Sequence, residues 1–217
     1  MSKINEKRPI ISSLSSLKYF KSMLYEQETI NVLSDLKHRI FPRPFERLSK
    51  LRSKKGLVGA EIGVCGGEHV LSLLRTFDIK KLYLIDPYSI YEDYDEGRKY
   101  YGADQASLIE SELAAKKILS DYASKIVWIK DLSENATNLI TEQLDFVYID
   151  GNHAKSFVKQ DIELFYPLVK SGGVIGGHDF YNGYQFEHDG VINAVVEWVS
   201  KNNKQLKVEL ADWWVEK

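Results

Sequence analysis

An acid, a glycine turn and a second acid are spaced as a site for a charged, sugar-bearing ligand would need. Glu61-Ile62-Gly63-Val64-Cys65-Gly66-Gly67 sets a carboxylate two residues before the first glycine. Glycines let the backbone approach a ligand closely, and a helix start beyond them offers unpaired N–H groups to an anion. Asp86 ends the next apolar run, about 20 residues beyond the glycines, where an acid can accept both hydroxyls of a ribose. Taken singly, the glycines fit a sharp strand-to-helix connection equally well, and Asp86 before Pro87 fits a turn. Further apolar runs end in Asp131, in Asp150-Gly151-Asn152-His153 and in His178-Asp179.

These residues need a sheet whose strand ends share one edge. Leu57 to Ile62 reads as a buried strand, and Val70, Leu71, Leu73, Leu74 and Phe77 follow at helical spacing. Lys81–Asp86, Ile126–Lys130, Leu144–Asp150 and Val174–Gly177 are further strands. Helices are expected over 105–122, where Ile109 and Leu113 share a face, and over 154–169, capped by Lys170-Ser171-Gly172-Gly173. A last helix carries Val191, Ile192, Val195, Val196 and Val199, and Leu206–Leu210 with Trp213–Glu216 closes a hairpin. Five strands alternating with helices, plus that hairpin, predict an α/β fold: a doubly wound, mostly parallel, seven-stranded Rossmann-like sheet. Residues 12–40 read as helical, Phe41-Pro42-Arg43-Pro44 breaks the pattern, and a short helix spans 45–52. The expected division is an N-terminal helical extension, 1–55, and one domain, 56–217. The 88–105 connection, rich in tyrosine and acids, is long for its place and suits a lid, a substrate wall or a protein contact.

The chain has 217 residues, 44% of them apolar, and a formal net charge of −2. That charge gives no reason to expect a nucleic-acid partner. Arg47, Lys50, Arg52, Lys54 and Lys55 cluster, as a solvated helix end would. The single cysteine, Cys65, excludes an intrachain disulfide and fits a reducing compartment; inside the turn it is expected to be a small buried side chain. No apolar run is long enough for a membrane span and no signal peptide is evident, so a cytoplasmic protein is expected. A homo-oligomer is left open.

From Leu57 to Lys217 the sequence resembles class I S-adenosylmethionine (SAM) methyltransferases, carried by Glu61–Gly67, Leu144–His153 and Ser171–Phe180. Within them it looks most like the O-methyltransferases of macrolide and aminocoumarin sugars, with catechol O-methyltransferase more distant. The resemblance implies SAM as cofactor, bound by Glu61 at its amino group, by Gly63, Gly66 and Gly67, by Asp86 on the ribose and by Asp131 on the adenine. Helix-start capping is the competing use of Asp131. It further implies a Mg²⁺ or Mn²⁺ ion on Asp150, His178 and Asp179. Histidine stands there where the family has an acid, which weakens the case for Mg²⁺ and admits Mn²⁺ or a metal-free site. His153, three residues after Asp150, takes the place of the catechol enzymes' lysine base, so His153 and Asp150 are the catalytic candidates.

The expected reaction is methyl transfer to a hydroxyl of a small sugar-like or phenol-like acceptor. A nicotinamide oxidoreductase lacks its third-glycine spacing here, and a nucleic-acid N-methyltransferase lacks its proline run after the fourth strand. A non-catalytic SAM-fold interaction protein is the remaining alternative.

Overall fold

The computed structural model describes residues 40–91, 104–181 and 189–217. Nearly all of the expected N-terminal helical stretch, and most of the tyrosine-rich connection, lie outside them. Strands β1 (Leu57–Ile62), β2 (Ile79–Ile85), β3 (Ile126–Ile129), β4 (Leu144–Ile149) and β5 (Val169–Gly177) pair in parallel. The hairpin β6 (Leu206–Glu209) and β7 (Asp212–Glu216) adds antiparallel to β5. The seven strands form one sheet in the order β3-β2-β1-β4-β5-β7-β6. Chain direction across the sheet reverses between β1 and β4, which opens a crevice at their carboxyl ends.

Side chains alternate across each strand, and both faces are covered. Val58, Ala60 and Ile62 of β1 and Val147 and Ile149 of β4 pack on α5 (Lys155–Phe165) and α6 (Asp189–Lys201). Leu82, Leu84, Phe146 and Tyr148 pack on the other side against α2 (Glu68–Thr76) and α3 (Gln105–Ile118). Ahead of β1, a 3-10 turn, Pro44–Arg47, and α1 (Ser49–Arg52) join that second layer. Phe45 is fully buried, its ring 5.0 Å from that of Tyr148, and its N–H donates to Asp212 Oδ2 at 2.8 Å. Burying such a ring stabilises by about 1.5–3 kcal/mol, so the segment before β1 is fastened to the sheet.

Two expectations fail locally. The helix expected through Val169 stops at Phe165, a 3-10 turn follows, and Val169 already belongs to β5. Pro167 has no N–H to continue the helical ladder, and the strand absorbs the early start in a register break opposite Leu144 and Phe146. Likewise α3 ends at Ile118, and its Ile109 and Leu113 are exposed; it buries Glu112, Ala114 and Ala115 instead. Small alanines let it approach the glycine turn. Among the described residues, no helix is long and apolar enough to cross a membrane.

Candidate active site

The turn after β1 is built by glycine and locked by Asp86. Gly63 has φ +83°, and a Cβ there would lie 2.2 Å from the Asp150 carbonyl oxygen, so only glycine lets the ends of β1 and β4 converge. Gly67, at φ +81°, turns the chain into α2. Asp86 Oδ2 accepts the Val64 and Cys65 amides at 2.9 and 3.1 Å, and its Oδ1 accepts the Tyr88 amide at 2.9 Å. Of the carboxylate's roughly four acceptor sites, one remains for a ligand hydroxyl. The Tyr88 hydroxyl donates to the Cys65 carbonyl at 2.9 Å; burial, then the Asp86 charge, raises it far above the ordinary phenol range and keeps it a donor.

A cavity of about 640 Å³ lies over this edge, lined among others by Gly63, Cys65, Asp86, Asp131, His153 and Asp161. Its size suits a cofactor. Glu61, Gly66 and Gly67, expected here, are buried behind the lining. Alternation along β1 explains Glu61: with Gly59 it faces the α2 side, opposite to Ala60 and Ile62. Its Oε1 lies 3.1 Å from His69 Nδ1, and the Glu46 carboxylate lies 3.6 Å beyond, from His69 Nε2. Burial pushes the Glu61 carboxyl well up, Asp150 and Glu46 add to this, and Arg43 opposes it. Cys65 corrects another expectation: at φ +48° its side chain is exposed rather than buried.

Asp131 does line the cavity. Its Oδ1 accepts Asn135 Nδ2 at 2.8 Å and the Leu132 amide at 2.7 Å, and these bonds, the Asn135 one first, hold its carboxyl below the ordinary range. It therefore braces the start of α4 (Ser133–Ala136) as well as facing the cavity. Nearby, Asp161 of α5 is 3% exposed and its Oδ1 has no hydrogen-bond partner. Burial pushes its carboxyl up to about 7, against a lowering bond from Ser133.

Beyond β4 and β5, the sequence candidates form one polar cluster. His153 Nε2 lies 2.5 Å from Asp179 Oδ2, and His178 Nδ1 lies 2.9 Å from Asp179 Oδ1. Burial alone would raise the Asp179 carboxyl, but bonds from both histidines and their charge hold it far below the usual carboxylate range. His153 is the cluster's member that also lines the cavity. Among the described residues, the ligand atoms that converge, within 4.8 Å of one another, are those of Asp150, His153 and Asp179. The expected set named His178 where the structure brings His153; His178 instead faces Asp179 and, at 3.9 Å, Asp212.

As placed, the donors do not suit an ion. Ligands around Mg²⁺, with bonds of 2.0–2.1 Å, stand about 3 Å apart, farther than His153 and Asp179. Asp150 Oδ2 is also taken, at 2.7 Å, by Arg43 Nη1.

Arg43, Tyr148, Asp212 and Asp161 were not singled out by sequence reasoning. Arg43 Nη1 also donates to the Tyr148 hydroxyl at 2.9 Å, which donates to Asp212 Oδ1 at 2.9 Å. One signal was available: Arg43 lies between two prolines, whose fixed geometry holds the chain extended. The basic stretch is occupied by local partners: Arg47 pairs with Glu209, Lys50 with Glu216, Lys54 with Asp145 and Lys55 with Asp78.

Solved structures share this fold. The O-methyltransferase NovP is 16% identical over 79% of each chain, with a TM-score of 0.55. MycE, a methyltransferase of mycinamycin biosynthesis solved with Mg, SAH and mycinamycin VI, is 18% identical over 85% of this chain and 53% of its own, TM-score 0.53. An rRNA methylase from Streptococcus thermophilus is 15% identical over 76% of this chain and 88% of its own, TM-score 0.52. At these identities the likeness is one of fold. No curated protein matches the sequence. The family described as a methyltransferase domain matches residues 60–180, the span that holds the glycine turn, Asp86, the cavity and the His153–Asp179 pair. The chain belongs to that family and is a class I SAM-dependent methyltransferase.

Proposed function

We propose that the enzyme transfers the methyl group of SAM to a hydroxyl of a small acceptor, with His153 as general base. The observation that carries this is the place of His153: it lines the cavity and meets Asp179 at 2.5 Å, so a base oriented by a carboxylate stands at the cavity's edge. SAM, when bound, supplies a methyl already activated on sulfonium, so most of the catalysis is alignment. Asp86 would accept a ribose hydroxyl and Asp131 would face the adenine. His153 would take the acceptor's proton, and ionised Asp179 would hold the imidazole and balance its charge. The Glu61 assignment to the cofactor amine has weaker support, because His69 already engages that carboxylate.

A divalent ion draws support from the convergence of Asp150, His153 and Asp179, but the Arg43 pair and the short His153–Asp179 contact weigh against it. The local pairing of the basic stretch favours a small acceptor over a nucleic acid. We place residues 56–217 as the catalytic domain and the protein in a reducing, cytoplasmic compartment. Calorimetry with S-adenosylhomocysteine and with NADH, followed by methyl transfer to a panel of sugar and phenol hydroxyls, tests the reading. NADH binding instead of S-adenosylhomocysteine, or methylation confined to rRNA, would overturn it.

A further inference from the structure

We infer that Arg43 is the built-in cation of the cluster, holding Asp150 in place of a divalent ion and keeping Asp150, His153 and Asp179 from binding one. Calling that edge the acceptor side rests on the proposed methyl transfer; the occupation of Asp150 does not. Arg43 is no loose surface charge. Its side chain is 21% exposed and that of Asp150 19%, and one guanidinium nitrogen reaches both Asp150 Oδ2 at 2.7 Å and the Tyr148 hydroxyl at 2.9 Å.

The contacts close into a ring. Tyr148 donates to Asp212 Oδ1 at 2.9 Å, and Asp212 Oδ2 accepts the Phe45 amide at 2.8 Å, two residues from where the ring began. Buried Phe45 therefore fixes the backbone that presents Arg43, and Asp212, itself fully buried, completes the path. An ion arriving at Asp150 would meet a guanidinium already on that carboxylate, one that, among the described residues, has no other acid as a hydrogen-bond partner. A partly buried cation stripped of its partner is strongly disfavoured. Arg43 thus acts as a positioning residue: through Asp150 it fixes the end of β4, and its charge replaces what a metal would bring.

The test is Mn²⁺ titration of the full chain, read by the electron paramagnetic resonance of the free ion. The wild type should leave the ion free. Arg43→Met, which removes the charge and keeps the aliphatic stem, should bind Mn²⁺ at least about tenfold more tightly than the wild type. Asp150→Asn in that background should abolish the gain, and Arg43→Lys should stay silent like the wild type. Arg43→Gln keeps amide donors for Tyr148 and Asp150 and gives the same readout should Arg43→Met lose its fold. Mn²⁺ binding by the wild type that Asp150→Asn removes would overturn the inference. So would folded Arg43→Met and Arg43→Gln proteins that bind no Mn²⁺. S-adenosylhomocysteine calorimetry on the same samples reports separately on the methyltransferase reading.

Discussion

The Oδ2 oxygen of Asp86 stands 2.9 Å from the amide of Val64, tying the end of β2 to the turn that follows β1. The residue proposed to meet a ribose is therefore also the residue that shapes the turn around it. Asp86→Ala should weaken S-adenosylhomocysteine binding by about 1.5–3 kcal/mol in calorimetry, the worth of one hydrogen-bonding group carrying charge. It should also lower stability in urea by about 1–3 kcal/mol, because the Val64, Cys65 and Tyr88 amides lose their acceptor. Asp86→Asn should recover part of the stability, since its amide oxygen can still accept. Unchanged affinity in Asp86→Ala would remove the residue from the cofactor site.

Gly63 offers a sharper test of the same turn. An alanine there would sit at positive φ with its methyl 2.2 Å from the Asp150 carbonyl oxygen, and backbone cannot swing aside as a side chain can. Gly63→Ala should cost more than about 3 kcal/mol in urea unfolding, the sum of a left-handed alanine and a forced backbone shift. A variant within about 1 kcal/mol of the wild type would mean the two strand ends are free to part.

His153→Ala should reduce turnover by about 10²–10⁴-fold, the usual contribution of a general base, while S-adenosylhomocysteine affinity stays within a few-fold. Asp179→Asn should fall between that variant and the wild type, since it leaves the imidazole in place but removes the charge facing Nε2. Turnover is measured with a hydroxyl acceptor from the panel. An Asp179→Asn enzyme as active as the wild type would reduce the pair to a structural contact.

The fold was legible because strand ends, glycines and helix stripes are local signals, and most survive in the structure; the α3 stripe of Ile109 and Leu113, which is exposed, does not. The position of Asp86, Asp131 and Gly63 beside the cavity was legible for the same reason, since each stands at the end of a readable strand. Glu61 does not line the cavity because a motif gives distance along the chain, whereas the pleat decides which face of β1 a side chain takes. His153 stands where His178 was expected, with Asp150 and Asp179, because two loops, after β4 and after β5, meet at Asp179, a pairing across 26 and 1 residues that no spacing rule orders. Arg43 and Asp212 were invisible for a deeper reason. They meet through Tyr148 of β4, with β5 between it and Asp212 on β7, and neither the prolines around Arg43 nor the hairpin before Trp213 announces a charge partner.

Asp161 carries the last prediction, on stability against pH. Its carboxyl titrates near 7 in the folded protein because burial disfavours the charge, whereas an unfolded aspartate titrates near ~3.9. Between those values the native state holds a proton that the unfolded state has lost, so stability falls as pH rises from about 4 to about 7 and then levels. The full separation corresponds to an upper bound of about 4 kcal/mol, and relaxation around the charged form will reduce it. Asp161→Asn removes the titration and leaves a neutral group of the same shape, still able to bond Ser133. The variant should therefore be more stable than the wild type at pH 8, on the order of 1–3 kcal/mol by urea unfolding, with the gap closing toward pH 5. Asp161 lines the cavity, so saturating S-adenosylhomocysteine should raise the stability of both proteins without reversing their order at pH 8. A gap that is the same at pH 5 and pH 8 would show that Asp161 is not held protonated and that its burial is relieved by water from the cavity.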